Sequence, residues 1–169
     1  MNYYINPSSL SGVFTVPNSV VDRYFKLSNP QHIKVLLYVL RNLSDDPEVV
    51  QLLWEILSAI VRPFVRWNKS AWFYSNTGNN GKGTLCELMR SLCGDGSFAV
   101  IPLSDFSKDF ALEPLIHASA IIVDENDVGC YIDKAANLKS IITNETISIN
   151  RKFKTPIAYQ FWGMTVQCL

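Results

Sequence analysis

The pattern of apolar and polar positions divides the chain into two parts. In PQHIKVLLYVLRNL, Ile33, Leu36, Leu37, Leu40 and Leu43 recur at helical spacing and predict a helix with one buried face. Ser44-Asp45-Asp46-Pro47 breaks that pattern, and EVVQLLWEILSAIV predicts a new helix that runs to Arg62-Pro63. Ahead of both, VVDRYFKLS follows Pro17-Asn18-Ser19, a group able to cap a short helix. The opening INPSSLSGVFTVPNS, rich in Pro, Ser and Gly, predicts an arm or a short extended stretch. The breaker sets the module boundary, with residues 1–46 as a small helical module and 47–169 as a second domain.

Beyond the breaker the predicted order is strand, glycine loop, helix, loop, strand, helix, hairpin, strand. SAWFYS predicts a short buried strand, and TLCELMRSLC a helix that packs through Leu85, Leu88, Met89 and Leu92. Gly94-Asp95-Gly96 stops that helix. SAIIV is an apolar strand ended by Asp124-Glu125, and DKAANLKSIIT is helical. ISINRKFKTPIAYQF forms two extended segments turning around Arg151 to Lys154, and GMTVQCL is another strand. Strands alternating with helices predict an α/β domain with a parallel core sheet. There is no repeat and no low-complexity tract.

At 169 residues and 19.1 kDa the chain can form one good core, or a small module joined to part of a larger one. Its 48% apolar content predicts a folded chain. Fifteen basic residues balance fifteen acidic ones, so nucleic-acid contact must come from a local patch. Cys86, Cys93, Cys130 and Cys168 lack metal-ligand spacing, and His32 and His117 are isolated, which argues against a zinc site. Cys86 and Cys93, seven apart on one helix, read as small buried apolar residues in a reducing cytoplasm. The start MNYYINPSS lacks the basic and apolar regions of a signal peptide, and no apolar run approaches the ~20 residues of a membrane span.

The chemistry is concentrated in WFYSNTGNNGKGT. The phosphate-loop signature G-x-x-x-x-G-K-[ST] cradles phosphates on backbone N–H groups, with Lys on the terminal phosphates and a hydroxyl on Mg²⁺. Gly81 and Lys82 fit it, but Asn76 stands at the first Gly, and Gly83 moves the hydroxyl on to Thr84. Asn visits the left-handed conformation more readily than most residues, which makes Asn76 tolerable there. A strand feeds the loop and a helix leaves it, as an anion site at a helix N-terminus requires. Roughly forty residues on, AIIVDEND ends a strand in two acids. Asp124 would bind Mg²⁺ through water, and Glu125 would orient or deprotonate the attacking water.

Residues 48–169 resemble the helicase part of phage and plasmid primase-helicases, a branch of the superfamily 3 helicases within the AAA+ group. The likeness is carried by NKSAWFYSNTGNNGKGTLCELMRSLCG, FALEPLI, ASAIIVDENDVG and LKSIITNETISINRKFKTPIAYQFWG. The glycine-lysine-glycine-threonine form of the loop is common in that branch. The resemblance implies a P-loop NTPase core of AAA+ type, a motor that forms homo-oligomeric rings on single-stranded DNA with ATP between subunits. Gly78, Asn79, Asn80, Gly81, Lys82, Gly83 and Thr84 would hold the triphosphate, with Asn76 and Thr77 at its entrance. Lys82, Asp124 and Glu125 would act in catalysis, and Thr84 and Asp124 would place Mg²⁺. The NRKFK hairpin would grip DNA, with Arg151, Lys152 and Lys154 on phosphates and Phe153 as a stacking group. After the strand MTVQCL family members carry a γ-phosphate-sensing asparagine and an arginine finger, and the resemblance extends to neither. Arg62 and Arg66 precede the loop and are poor substitutes, so the resemblance implies a helicase core truncated at its C-terminus.

INPSSLSGVFTVPNSVVDRYFKLSNPQHIKVLLYVLRNL is similar to the start of the winged-helix domain of DnaD-type replication initiation proteins, with EVVQLLWEILSAIV in place of the recognition helix and wing. A helical cap on the motor core is the alternative for this module. Both resemblances imply replication of phage or mobile DNA in the cytoplasm of a bacterial host. The rival function is a non-enzymatic initiation adaptor that binds DNA or a replisome partner.

Overall fold

The computed structural model describes residues 4–5, 14–15, 38, 42–62, 64–78, 80–127 and 135–169. The chain divides into two compact units, Met1–Val61 and Arg62–Leu169.

In the first unit, β1 (Tyr4–Ile5) pairs antiparallel with β2 (Phe14–Thr15), matching Tyr4 to Thr15 and Ile5 to Phe14. The two helices predicted before residue 44 fall almost wholly outside the described residues. The breaker is legible in the bonding that follows. Ser44 Oγ accepts from the Asp46 amide at 3.1 Å, and Asp46 Oδ1 accepts from the Glu48 amide at 2.9 Å, so Asp46 caps α1 (Pro47–Val61) with Pro47 in its first turn. Residues 56–61 of α1 are all buried, and the first unit therefore ends one helix beyond the breaker.

The second unit is mixed α/β. Its parallel sheet has the order β3-β8-β5-β4, with β3 (Ser70–Phe73), β4 (Phe98–Ala99), β5 (Ala120–Val123) and β8 (Met164–Cys168). β6 (Thr146–Arg151) and β7 (Lys154–Gln160) form a separate antiparallel hairpin. The helices are α2 (Lys82–Cys93) and α3 (Ala136–Ile142). Every residue of β5 and β8 is buried; β5 is the continuous apolar run expected of a parallel strand covered on both faces, whereas β8 also buries the polar Thr165 and Gln167.

Two strand expectations are corrected. SAWFYS is not a buried strand: β3 is an edge strand in which Ala71 is buried and Trp72 exposed, because only one side of it is paired. β4, only two residues long, lies where the pattern predicts a loop, and two 3-10 turns, Leu103–Asp105 and Glu113–His117, stand between it and β5. On α2 the inner positions are Leu85, Cys86 and Met89, while Leu88 and Leu92 are only half-buried, so the packing stripe is narrower than predicted.

The core lies mainly on one face of the sheet. Ile121 and Val123 of β5 join Ile101, Leu103, Phe106, Leu112, Leu115, Leu138, Ile141, Ile147, Ile149 and Phe161, so the 3-10 turns, α3 and the hairpin share one apolar cluster. Strand alternation sends Ile122 to the other face, and α2 packs against β5. Gly163, just before β8, has no room for a side chain: a Cβ there would lie 2.1 Å from the Ser119 carbonyl oxygen and 2.4 Å from Phe161.

Candidate nucleotide site

Parallel strands point their carboxyl ends the same way, and ligands of open α/β sheets bind in the crevice outside those ends. β3 leads into residues 75–81, β5 into Asp124-Glu125-Asn126, and β8, lying between them, ends at Cys168-Leu169. Together these segments line a cleft of about 490 Å³, within the range of small-molecule pockets. The predicted Asn76, Thr77, Gly78, Asn80, Gly81, Lys82, Gly83 and Thr84 all line it, with Asp124 and Glu125 opposite. Asn79 lies outside the described residues.

The loop is tied by its own side chains. Ser75 Oγ accepts from the Thr77 amide at 3.2 Å, and Asn80 Nδ2 donates to the Thr77 carbonyl at 2.5 Å. Gly81 has φ 84°, a left-handed value that favours glycine, and its carbonyl accepts the first helical bond of α2 from Leu85 at 2.9 Å. The amides of Lys82, Gly83 and Thr84 have no acceptor within the helix by its geometry; among the described residues Lys82 finds a partner in Asn80 Oδ1, at a long 3.4 Å. Free N–H groups and the helix dipole at such a terminus favour an anion.

The left-handed backbone expected at Asn76 does not occur. Asn76 is absent from the positive-φ residues, so its fitness is not a left-handed backbone. Its side chain does the work instead, with Oδ1 accepting from the Tyr74 hydroxyl. Lys82 Nζ donates to the Leu169 main-chain oxygen at 2.7 Å, and the Ser75 amide reaches that same oxygen at 3.4 Å, so the loop and the end of β8 share one acceptor.

Sequence reasoning missed three contributors. Arg90 of α2 engages Asp124 through Nη1 to Oδ2 at 3.2 Å and Nη2 to Oδ1 at 3.0 Å. Those hydrogen bonds hold the Asp124 carboxyl below the usual carboxylate range and raise the Arg90 guanidinium above its own. In the sequence Arg90 reads only as a base in the last turn of a helix, where it suits the dipole. Buried Asn126 accepts from the Leu103 amide at 2.9 Å and donates to Gln167 Oε1 at 3.0 Å and to the Cys168 carbonyl at 2.9 Å, so it anchors the acidic turn to β8. The third is Cys168, whose Sγ lies 3.4 Å from that of Cys86. The Cys168 sulfur and burial push the Cys86 thiol up. Cys93 is half-buried, so Cys86 finds its sulfur neighbour on β8 rather than on its own helix.

The hairpin lies apart from the cleft lining. Phe153 at its turn is 95% exposed with φ 58°, and Lys152 Nζ sits 5.5 Å above its ring. Lys154 is exposed, whereas Arg151 donates through Nε and Nη2 to the Thr155 carbonyl at 3.1 and 2.8 Å. Among the described residues no three His, Cys, Asp or Glu side chains gather to hold a metal ion, and no helix is long and apolar enough to cross a membrane.

Two solved structures of the C-terminal region of NrS-1 resemble the chain. Both are A form apo structures; one has a TM-score of 0.62 and 21% identity, the other a TM-score of 0.59 and 22% identity. Each likeness covers 80% of this chain and 32% of the other, so the chain spans about a third of the length of these relatives. At that identity it establishes a shared fold. No curated protein matches the chain. The model of the Family of unknown function (DUF5906) matches residues 73–169, from the end of β3 through the loop, the acidic turn and the hairpin to the end of β8, and the chain belongs to that family.

Proposed function

We propose that the chain binds Mg·ATP in this cleft and serves as the ATPase segment of a phage- or plasmid-type replicative DNA helicase, coupling hydrolysis to movement on single-stranded DNA as part of a homo-oligomeric ring. The observation that carries the reading is the cleft itself. It joins a glycine loop at a helix N-terminus, Lys82, and two carboxylates some forty residues away, on three parallel strand ends. The donor set suits Mg²⁺: the Thr84 hydroxyl and the Asp124 and Glu125 carboxylates are all oxygen ligands, and Mg²⁺ is held by one or two carboxylates plus substrate phosphates. Bound there, Mg²⁺ would neutralise charge on the phosphates. Lys82 and the amides of Gly83 and Thr84 hold and orient the triphosphate, Glu125 orients a water and takes its proton, and Asn126 keeps the acidic turn in register with β8. Lys152, Lys154 and Phe153 at the hairpin tip offer cations and a stacking face to a nucleic-acid strand.

The first test is a calorimetric titration of Mg·ATP. Lys82→Ala should weaken binding at least about thirtyfold, the lower bound for truncating one member of a charged contact. Equal affinity in the variant sinks the site. One observation favours a second reading, an initiation adaptor that binds without turnover: both Asp124 oxygens are taken by Arg90. Phosphate release with and without single-stranded DNA separates the two, because only the motor reading expects stimulated turnover.

A further inference from the structure

The carboxylate that this reading assigns to a cation already holds one. Arg90 and Asp124 lie 34 residues apart in the chain, yet the guanidinium fork meets both Asp124 oxygens, the strong bidentate form of the pair. The arginine is held from behind. Its side chain is 18% exposed, Glu87 Oε2 stands 3.6 Å from Nη1, the Phe98 ring centre is 6.0 Å from the guanidinium carbon, and Nε is buried with no partner among the described residues. Such a side chain has few alternative positions, and Glu87, on its own helix, is the other carboxylate beside it. The depressed Asp124 carboxyl agrees with a standing pair.

The consequence concerns charge. Among the described residues, the ionised side chains that line the cleft are Lys82, Asp124 and Glu125. With Asp124 compensated by Arg90, Lys82 and Glu125 balance, and the cleft offers no net negative charge to a dication. Mg²⁺ gives up its water reluctantly, so a neutral site with one free carboxylate has little to exchange for that shell.

We infer that Arg90 is a positioning residue that bars a free divalent cation from the cleft, so that the metal enters only as its complex with a nucleotide, whose phosphates supply the missing negative charge. The inference rests on the nucleotide reading for the identity of the ligand. The exclusion of the free ion follows from the four side chains alone.

Manganese(II), read by its electron paramagnetic resonance signal, is the probe. Wild type should bind free Mn²⁺ weakly, and Arg90→Gln should tighten that binding at least about tenfold, as expected when a cation within ~4 Å of a carboxylate is removed. Arg90→Lys, which keeps the charge, should stay near wild type, and Arg90→Gln combined with Asp124→Asn should return to it. An Arg90→Gln chain that is folded by circular dichroism and binds Mn²⁺ no better than wild type overturns the inference. If that variant does not fold, wild type decides alone, since a tight free-Mn²⁺ site lost in Asp124→Asn overturns the inference and its absence supports it. Failure of wild type to bind Mn·ATP would instead remove the nucleotide reading and leave the free-ion comparison standing.

Discussion

Asp124 shows how one residue's surroundings reset its chemistry. A strand-ending acid reads in the sequence as a free ligand, but here its charge is shared with Arg90, which lies on α2, the helix that begins at the loop. The pair has a pH signature of definite sign. A carboxyl whose folded pKa is depressed contributes stability above its unfolded value of about 3.9, and that contribution fades as pH falls below it. Asp124→Asn should therefore lower stability in the neutral region and converge with wild type as pH falls below about 4, which flattens the acid limb of the stability curve, as followed by thermal melts across pH. Asp105, held low by Lys108 at 2.6 Å, titrates in the same window, so the limb should shrink rather than vanish. A melt profile identical to wild type down to the lowest pH would mean that the pair contributes nothing. Nearly half of the Asp124 side chain is exposed, which keeps the expected effect small.

The hairpin illustrates the element scale. Its alternation is regular, with Ile147 and Ile149 buried on one side and Ser148 and Asn150 exposed on the other, and the register shift between Ile149 and Arg151 delivers Lys152 and Phe153 to the turn. The apolar face is tied into the core while the tip is not, so tip and framework should respond differently to change. Lys152→Ala with Lys154→Ala should weaken single-stranded DNA binding and lower the slope of log affinity against log salt by up to about 1.4, at ~0.7 per phosphate contact. An unaltered slope returns the tip to an ordinary solvated turn. Because Phe153 is 95% exposed, Phe153→Ala should change unfolding free energy by no more than about 0.5 kcal/mol in a urea titration, whatever it does to DNA binding. A larger loss would place Phe153 in the structural framework.

At the scale of the molecule, the insertion of β8 between β3 and β5 brings the loop and the acids to one cleft. That insertion depends on the close approach of Gly163 to Ser119, whose amide and hydroxyl both donate to the Ser97 carbonyl at 2.7 and 2.9 Å. Gly163→Ala should destabilise the second unit by about 1–3 kcal/mol, the usual cost of overpacking, measurable by chemical denaturation. A neutral result would show that the backbone yields there. The local elements were readable because their causes are local: Gly81 and Gly94 bound α2, Asp46 and Pro47 start α1, and an apolar run marks β5. The residue types of the site, Lys82, Thr84, Asp124 and Glu125, were readable because phosphate chemistry requires few alternatives. β4 was not, because two residues carry no periodicity and its pairing with β5 alone makes it a strand. The tertiary structure decided which strand lies between which, that Arg90 answers Asp124, that Asn126 joins the acidic turn to β8, and that Cys86 faces Cys168. Those pairings follow from the order of strands in the sheet, a long-range choice that no window of neighbouring residues encodes.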